Sequence, residues 1–360
     1  MPFRTPVLDT GPSTISAPSD AVSIVARARD AGRARGAVVG VVLAAGIAVS
    51  FAISVSVGDF PIPLAEVVPA IFGFGSPDAH FIVQTLRLPR ALTALLVGGA
   101  FGFSGAIFQS LARNPLASPD IIGITAGAGA AAVFIIVVVG GGGLLVSLGA
   151  LAGALGTAAA IYFLAYRRGI TAYRLVLVGI GVAAVLSSLT SYLLTRAQIW
   201  EAQRATVWLT GSLNGRGWEH VRPVGLAMLA LFPVVLLLAR PLRALQLGDD
   251  TAKSLGVGVE RYRRYLILVA VALAAVATSS AGPVAFVAFV APPIARRLTR
   301  SSLTLVPAAL AGALLVLLSD LVARRAFAPT ELPVGIITGI VGAPYLLWLL
   351  ARANRVGTGG

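Results

Sequence analysis

The chain has 360 residues, 57% hydrophobic and 12% charged, with mean hydropathy +0.91 and a formal net charge of +14. Soluble domains carry about 25% charged residues, so an ordinary soluble domain is excluded, and apolar stretches of about 20 residues recurring throughout predict an all-α polytopic membrane protein. Those stretches are continuous rather than alternating, which excludes a membrane β-barrel.

The two ends and the first half follow a simple pattern. Residues 1–36 are polar and mixed, with Arg27, Arg29, Arg33 and Arg35 near their end, and read as a disordered cytoplasmic tail. The apolar run at 37–57 is too far in and too long for a secretory signal, so it reads as a first membrane helix running outward. An outer loop at 58–90 closes on "LRLPR", and the second helix takes 91–112 inward. The tight loop "RNPLASPD" (113–120) turns the chain, a third helix runs to about 139, and Gly140–Gly143 make a flexible turn. A fourth helix at about 144–166, the basic inner loop "YRRGITAYR" (166–174) and a fifth helix to about 195 follow.

Residues 196–220 carry Trp200, Trp208 and Trp218 among polar residues, as an interfacial helix does. The sixth helix covers 221–239, and a basic loop spans 240–263. The next stretch, 264–295, is too long for one crossing of ~20 residues. Gly282–Pro283 breaks it midway. Two crossings leave 20 of the 28 basic residues inside, and one crossing leaves 17. The excess of positive charge on the cytoplasmic side therefore favours two crossings, ten helices in all and both termini cytoplasmic. The last two helices cover about 304–322 and 333–351, and 353–360 is a short tail. Glycines four apart (Gly98/Gly102, Gly123/Gly127, Gly149/Gly153, Gly335/Gly339) suit close helix packing in lipid.

Inside the basic loop lies "DDTAKSLG", Asp249, Asp250, Thr251, Ala252, Lys253, Ser254, Leu255 and Gly256. Asp249, Asp250 or Thr251 can cap a helix start, and Gly256 can end that helix in a left-handed conformation. So short a helix on the inner face needs something to pack on, here a motor protein that this chain does not contain.

The chemistry available to the chain is limited. There are no cysteines, and His80 and His220 are the only histidines, so neither a thiolate nor a His-rich metal site can be built. The 27 arginines sit at the ends of apolar segments, where they set topology, which argues against a nucleic-acid partner. Twelve of the 14 acidic residues fall in polar segments, and Asp120 and Asp320 sit at helix ends, so the buried ionisable groups expected of an ion-coupled secondary transporter are missing. The single lysine, Lys253, follows Ala252 rather than glycine, so there is no phosphate-binding P-loop and any ATP-driven work must come from another chain. No Ser–His–Asp set or paired carboxylates support an enzyme reading.

The stretch "LRLPRALTALLVGGAFGFSGAIFQSLARNPLASPDIIGITAGAGAA", followed in order by "WLTGSLNGRGW" (208–218), "AGPVAFVAFVAPPIARRL" (281–298) and "ELPVGIITGIVGAPYLLWLL" (331–350), resembles the permease subunits of type II ABC importers for iron–siderophore chelates, haem and cobalamin, over about 37–352. The resemblance implies a ten-helix permease domain at 37–352 in a bacterial cell membrane. Its expected partners are a second permease, favoured as a heterodimer, two cytoplasmic ATPases that hold ATP and Mg, and an extracytoplasmic binding protein. No cofactor is expected on this chain. In the family the coupling helix lies where this chain has 249–256. Basic residues that dock the binding protein match Arg87, Arg90 and Arg324. A pore lined partly by helix 5 implies a path near Ser187, Ser188, Ser191 and Thr195, which share a helix face. Many relatives have His where this chain has Pro293, beside Pro292, which stiffens that end of helix 8. "TGSLNGRGW" looks most like permeases for ferric siderophores, especially catecholates, with a haem or cobalamin importer as the alternative.

Overall fold

The computed structural model describes residues 18–357 apart from 59, 61, 75 and 167–171. The expected tail up to 17, part of the basic loop at 166–174 and the last three residues lie outside them. Every regular element among the described residues is helical. α1 (Pro18–Ser56) already runs through much of the polar segment expected to be disordered. The expected outer loop holds two short helices, α2 (Leu64–Ile71) and α3 (Pro77–Phe81). α3 continues through a π-helical stretch, Ile82–Arg87, into α4 (Leu88–Ala112), so this crossing starts 14 residues before the expected 91.

α5 (Ile124–Phe134) starts after the loop, at 124 rather than about 120, and ends in a second π-helical stretch, Ile135–Val139. α6 (Leu144–Ala165) and α7 (Ala172–Arg196) follow the expected spans. α8 (Ile199–Leu209) is the short helix expected at an interface, but its tryptophans do not act alike. Trp200 is exposed, Trp208 is buried, and Trp218 opens α9 (Trp218–Gln246) with its indole N–H donating to the Gln84 carbonyl at 2.9 Å. α10 is Asp249–Ser254 and α11 is Val259–Ala281. The long apolar stretch breaks at Gly282, where φ is +76°, and resumes as α12 (Val287–Thr299). α13 (Leu305–Arg325) and α14 (Val334–Gly357) complete the bundle, α14 running six residues past the expected 351.

Among the described residues, seven helices are long and apolar enough to cross a membrane, and 124–139 and 334–349 are shorter apolar helices. The core is built on α4 and α11. Their most apolar windows are 83% and 72% buried inside this one chain, against 17% for α7 and 22% for α9. Small residues make that burial possible. A methyl group on Gly98 or Gly102 would run into the carbonyls of Gly312 or Ala308 on α13, and one on Gly105 into that of Ala288 on α12. Without a hydrophobic drive between helices in lipid, such backbone approach is what brings packing energy. The Gly127 and Gly153 backbones meet in the same way between α5 and α6. The Gly335/Gly339 pair divides: Gly335 packs on Thr210, whereas Gly339 faces open space.

Buried polar side chains stitch α4 to its neighbours. Ser104 Oγ donates to the Ala270 carbonyl of α11 at 2.7 Å, and Gln109 Nε2 to the Phe289 carbonyl of α12 at 3.0 Å. Arg296 Nη2 then donates to Gln109 Oε1 at 2.6 Å. Arg35 Nε reaches the Leu298 carbonyl at 2.7 Å. These contacts hold the end of α12 against the end of α4 and against α1, and Gln109 and Arg296 share a cavity with Leu255, just past α10.

Gly102→Leu should cost about 1–3 kcal/mol or abolish folded protein, because the added side chain meets backbone that cannot yield. Gly339→Leu should be nearly neutral. Thermal unfolding of detergent-purified protein, followed by size-exclusion chromatography, compares the two.

Candidate functional site

Three sets of predicted residues occupy three different places. The first is α10. Its N-cap is Gly248, at φ +115°, and no side chain caps it. None of Asp249, Asp250 and Thr251 takes the capping role expected of them. Asp249 instead turns its carboxylate sideways into two arginines. Arg113 Nη2 donates to one oxygen at 2.9 Å and Arg263 Nη2 to the other at 2.8 Å. Arg113 sits at the end of α4 in a left-handed conformation, φ +49°, and its Nη2 also reaches the Leu245 carbonyl of α9 at 3.0 Å. Arg263 belongs to α11 and also pairs with Glu260 at 3.2 Å. One carboxylate thus ties α10 to the ends of α4 and α11.

Ala252 is the buried residue of α10, fully enclosed. The helix ends as Gly256, φ +78°, donates its N–H to the Lys253 carbonyl and Val257 to that of Ala252, both at 2.9 Å. That left-handed residue closes the last turn. Asp250, Thr251, Lys253, Ser254, Leu255 and Gly256 are all exposed. Leu255 is 62% exposed and lines a cavity of about 820 Å³ with Gln109, Arg113, Arg243 and Arg296. The arrangement is a small fixed knob with an exposed polar and apolar tip.

The second set is Arg87, Arg90 and Arg324. The structure brings them to the opposite face, but their guanidinium groups turn into the protein. Arg87 is 8% exposed and closes the end of α1, donating to the carbonyls of Val55 at 3.0 Å, Ser56 at 2.8 Å and Phe60 at 2.6 Å. Arg90 bridges Asp320 at 3.0 Å and Glu331 at 2.9 Å. Arg324 pairs with Asp320 at 3.1 Å and donates to Ser54 Oγ at 2.6 Å. Asp320 is 1% exposed. The sequence marks these arginines by side of the membrane, and the acceptors that hold them come from α1 and the segment just after it, α13 and the α13–α14 loop. That pairing had no signal in sequence spacing.

The third set, Ser187, Ser188, Ser191 and Thr195, lies along α7, and all four are exposed. Ser188 and Thr195 donate to the carbonyls of Ala184 at 3.0 Å and Tyr192 at 2.7 Å, so their hydroxyls are satisfied within the helix. This face of α7 has no partner among the described residues of the chain beyond its own backbone.

Between these places lies a junction that sequence reading missed. "WLTGSLNG", "AGPVAF" and "LPVG" meet at Gly211, Gly282 and Gly335. Ser212 N donates to the Ala281 carbonyl at 2.8 Å, and Gly335 N to the Gly211 carbonyl at 3.1 Å. A methyl on Gly211, Gly282 or Gly335 would meet the carbonyl of Pro283, Trp208 or Thr210. The signal was present as glycines in three separated motifs, but nothing in their spacing says that they converge.

The Arg113 and Arg263 guanidiniums hold the Asp249 carboxyl below its ordinary value, chiefly through the hydrogen bond from Arg263. A carboxyl lowered in this way adds stability above its unfolded value near pH 3.9, and the gain disappears as pH falls through the lower folded value. Asp249→Asn should therefore lose about 0.5–1 kcal/mol at neutral pH, a modest figure because the side chain is 41% exposed. The difference from the wild type should shrink as pH falls from about 4 towards the lowered folded value. Removing Asp320 strands two buried arginines, so Asp320→Ala should cost about 3–5 kcal/mol in the same unfolding measurement.

The FecCD transport family model matches residues 46–352. The ferric enterobactin transport system permease protein FepG of Escherichia coli K12 is 42% identical over 299 residues, which cover 83% of this chain and 91% of that protein. The probable siderophore transport system permease protein YfhA of Bacillus subtilis 168 is 41% identical over 312 residues, 84% of this chain and 91% of the relative. An inward-facing structure assigned to a metal-chelate type ABC transporter superposes with a TM-score of 0.78 at 27% identity, covering 87% of this chain and 98% of that one. With more than four-fifths of its length aligned at these identities and the same helical architecture, the chain is a multi-pass membrane protein that belongs to the FecCD transport family.

Proposed function

We propose that this chain is one permease subunit of an ATP-driven importer for a ferric siderophore. The observation that carries the reading is the exposed tip of α10, fixed from behind by the Arg113–Asp249–Arg263 clamp. A knob rooted in α4 and α11, the most buried of the seven long apolar helices among the described residues, can pass a displacement into the bundle without first bending. Separate ATPase subunits, which hold ATP and Mg, seat the Asp249–Gly256 element and move it by rigid-body rotation. Relatives at 41–42% identity named for ferric enterobactin and siderophore transport support the choice of cargo. The iron is substrate, travelling as a finished chelate.

The face that carries α10 is the cytoplasmic one in this reading. It holds Arg35, Arg113, Arg243, Lys253, Arg263, Arg296 and Arg300, as the preference of basic residues for the cytoplasm requires. Ten crossings with both termini inside follow when 124–139, α12 and α14 are counted with the seven long helices. The chain then lies in a bacterial inner membrane. A second permease, a heterodimeric partner, covers the exposed face of α7, and the cargo passes between the two along Ser187, Ser188, Ser191 and Thr195. An extracytoplasmic binding protein docks on the opposite face. Arg87, Arg90 and Arg324 shape that docking rim from beneath, by holding α1, α13 and the 326–333 segment in place, and they do so through the pairs that bury them.

The test is transport by proteoliposomes holding this chain, its partner permease, the ATPases and the binding protein. Gly256→Pro cannot keep φ at +78°, since proline fixes φ near −65°. Asp250→Lys reverses a fully exposed charge at the tip. Both variants should keep ATP hydrolysis and lose most uptake of a radiolabelled ferric tris-catecholate, with unchanged elution on size exclusion. Normal uptake in both would remove α10 from the coupling.

A further inference from the structure

A second basic cavity lies on the α10 face, apart from the tip itself. It measures about 570 Å³ and is formed where the start of α1 crosses the α12–α13 loop. Arg29 and Arg33 come from α1, Arg243 from the end of α9, and Arg300 from the loop, with Ser302 and Thr304 between them. Arg300 holds φ at +53°, an unusual conformation for arginine, where α12 ends. Gly32 and Gly36 on the α1 wall leave the space open, with no atom within 4 Å of where their methyl groups would be. Arg35, two residues on from Arg33, anchors this wall by its bond to Leu298.

The charge in this cavity is not balanced. Asp30 lies 4.0 Å from Arg29 and 3.6 Å from Arg33, and it is the single acidic side chain near the four cations among the described residues. Four guanidiniums around one concavity, with hydroxyls among them, form a receptor for a phosphate group, which arginine binds by paired hydrogen bonds. The depth is that of lipid headgroups. The apolar run of α1 starts at 37, just past Arg33 and Arg35, α12 ends at Thr299, and α13 starts at Leu305. α1 itself is at the rim of the bundle, with Val38, Val41 and Val42 62–69% exposed. Leu303 and Pro307 supply an apolar wall.

We infer that this cavity binds the phosphate headgroup of an anionic phospholipid and so pins the α1 extension against the α12–α13 loop. Basic pockets between membrane helices select such headgroups over zwitterionic ones. The site is concave and beside lipid-facing helices, whereas a contact for a folded ATPase is better served by the protruding tip of α10. The inference holds whichever leaflet this face adjoins, so it does not stand or fall with the transport reading.

The full-length chain, purified in a neutral detergent and stripped of lipid, is titrated with dioctanoyl phosphatidylglycerol, dioctanoyl phosphatidylcholine or sodium phosphate, and bound lipid is counted by native mass spectrometry. Phosphatidylglycerol should bind in preference to phosphatidylcholine and raise the thermal midpoint, with an affinity that falls as salt rises. The double variant Arg243→Gln, Arg300→Gln should weaken phosphatidylglycerol about tenfold or more. Arg243→Lys with Arg300→Lys should restore most of it. Both arginines are exposed, so the variants should elute as the wild type does. Equal binding of the two lipids, or unchanged affinity in the glutamine variant, would overturn the inference. So would displacement of the lipid by phosphate at similar concentration, which would make the ligand a free anion. Loss of assembly with the cognate ATPase while lipid selectivity stays intact would make the cavity a protein contact instead, and would equally overturn it.

Discussion

The bundle depends on a place where three backbones touch with no side chain between them. Gly211, Gly282 and Gly335 let the α8–α9 connection, the α11–α12 connection and the first turn of α14 approach to hydrogen-bonding distance. Non-helical backbone at membrane depth is tolerated only when its polar groups find partners inside the protein. Here Ser212 N and Gly335 N supply the carbonyls of Ala281 and Gly211. The consequence is that an apolar stretch of more than 30 residues need not stay helical throughout. It can stop at Ala281, turn, and return as the short α12. Phe286, in the left-handed conformation at φ +65°, completes the turn and packs against Gly342 of α14. Each of the three segments makes the other two possible, and this accounts for the spread of their glycines across 124 positions of sequence.

Arginine does two different jobs in this protein. On the face opposite α10, Arg87, Arg90 and Arg324 are nearly enclosed and pair with carbonyls, carboxylates and the Ser54 hydroxyl. Breaking one of these contacts leaves a charge in a place without water, so they act as fasteners. At α10 the pairs around Asp249 are half exposed and reach across four elements. They contribute little stability but fix a direction, because a carboxylate held by two guanidiniums from different helices cannot rotate away from either. A basic residue near a helix end therefore says little alone. Burial and the identity of its acceptor decide what it does.

That distinction also explains what could be read from the chain. The apolar lengths were sufficient to place most crossings, and Gly282–Pro283 was sufficient to place the break, because hydrophobic length and backbone breakers are local properties. The left-handed Gly256 was readable for the same reason. The orientation of Arg87 was not, since it depends on carbonyls 27–32 residues earlier that become available only when α1 ends beside α4. Asp249 looked like a cap because helix starts commonly use aspartate, but two arginines from distant helices compete for its oxygens more strongly than backbone N–H groups do. The helical run from Pro18 was missed because its sequence has no apolar stripe, and Arg35 ties it to the Leu298 carbonyl near the end of α12, a contact that spacing does not reveal. The convergence of the three glycine motifs was invisible for the most basic reason: each is an ordinary turn signal until the other two are beside it.

The two fixed points lie at opposite ends of α11. At its start Arg263 grips Asp249, and at its end Ala281 accepts the Ser212 N–H at the glycine junction. Between them Ser104 of α4 bonds the Ala270 carbonyl. A load on α10 thus enters a helix attached along its length, so α11 and α4 can move only together. α7 is mostly unburied within the chain, and among the described residues it packs mainly on α5 and α6 and little on α4. Relative motion is easiest where contacts are fewest and least specific. The compliant element is therefore α7, whose exposed face the proposed second permease would cover. In the transport reading proposed above, a push on α10 enters the α4–α11 pair, and α7, the least covered of the long helices, is the surface that gives.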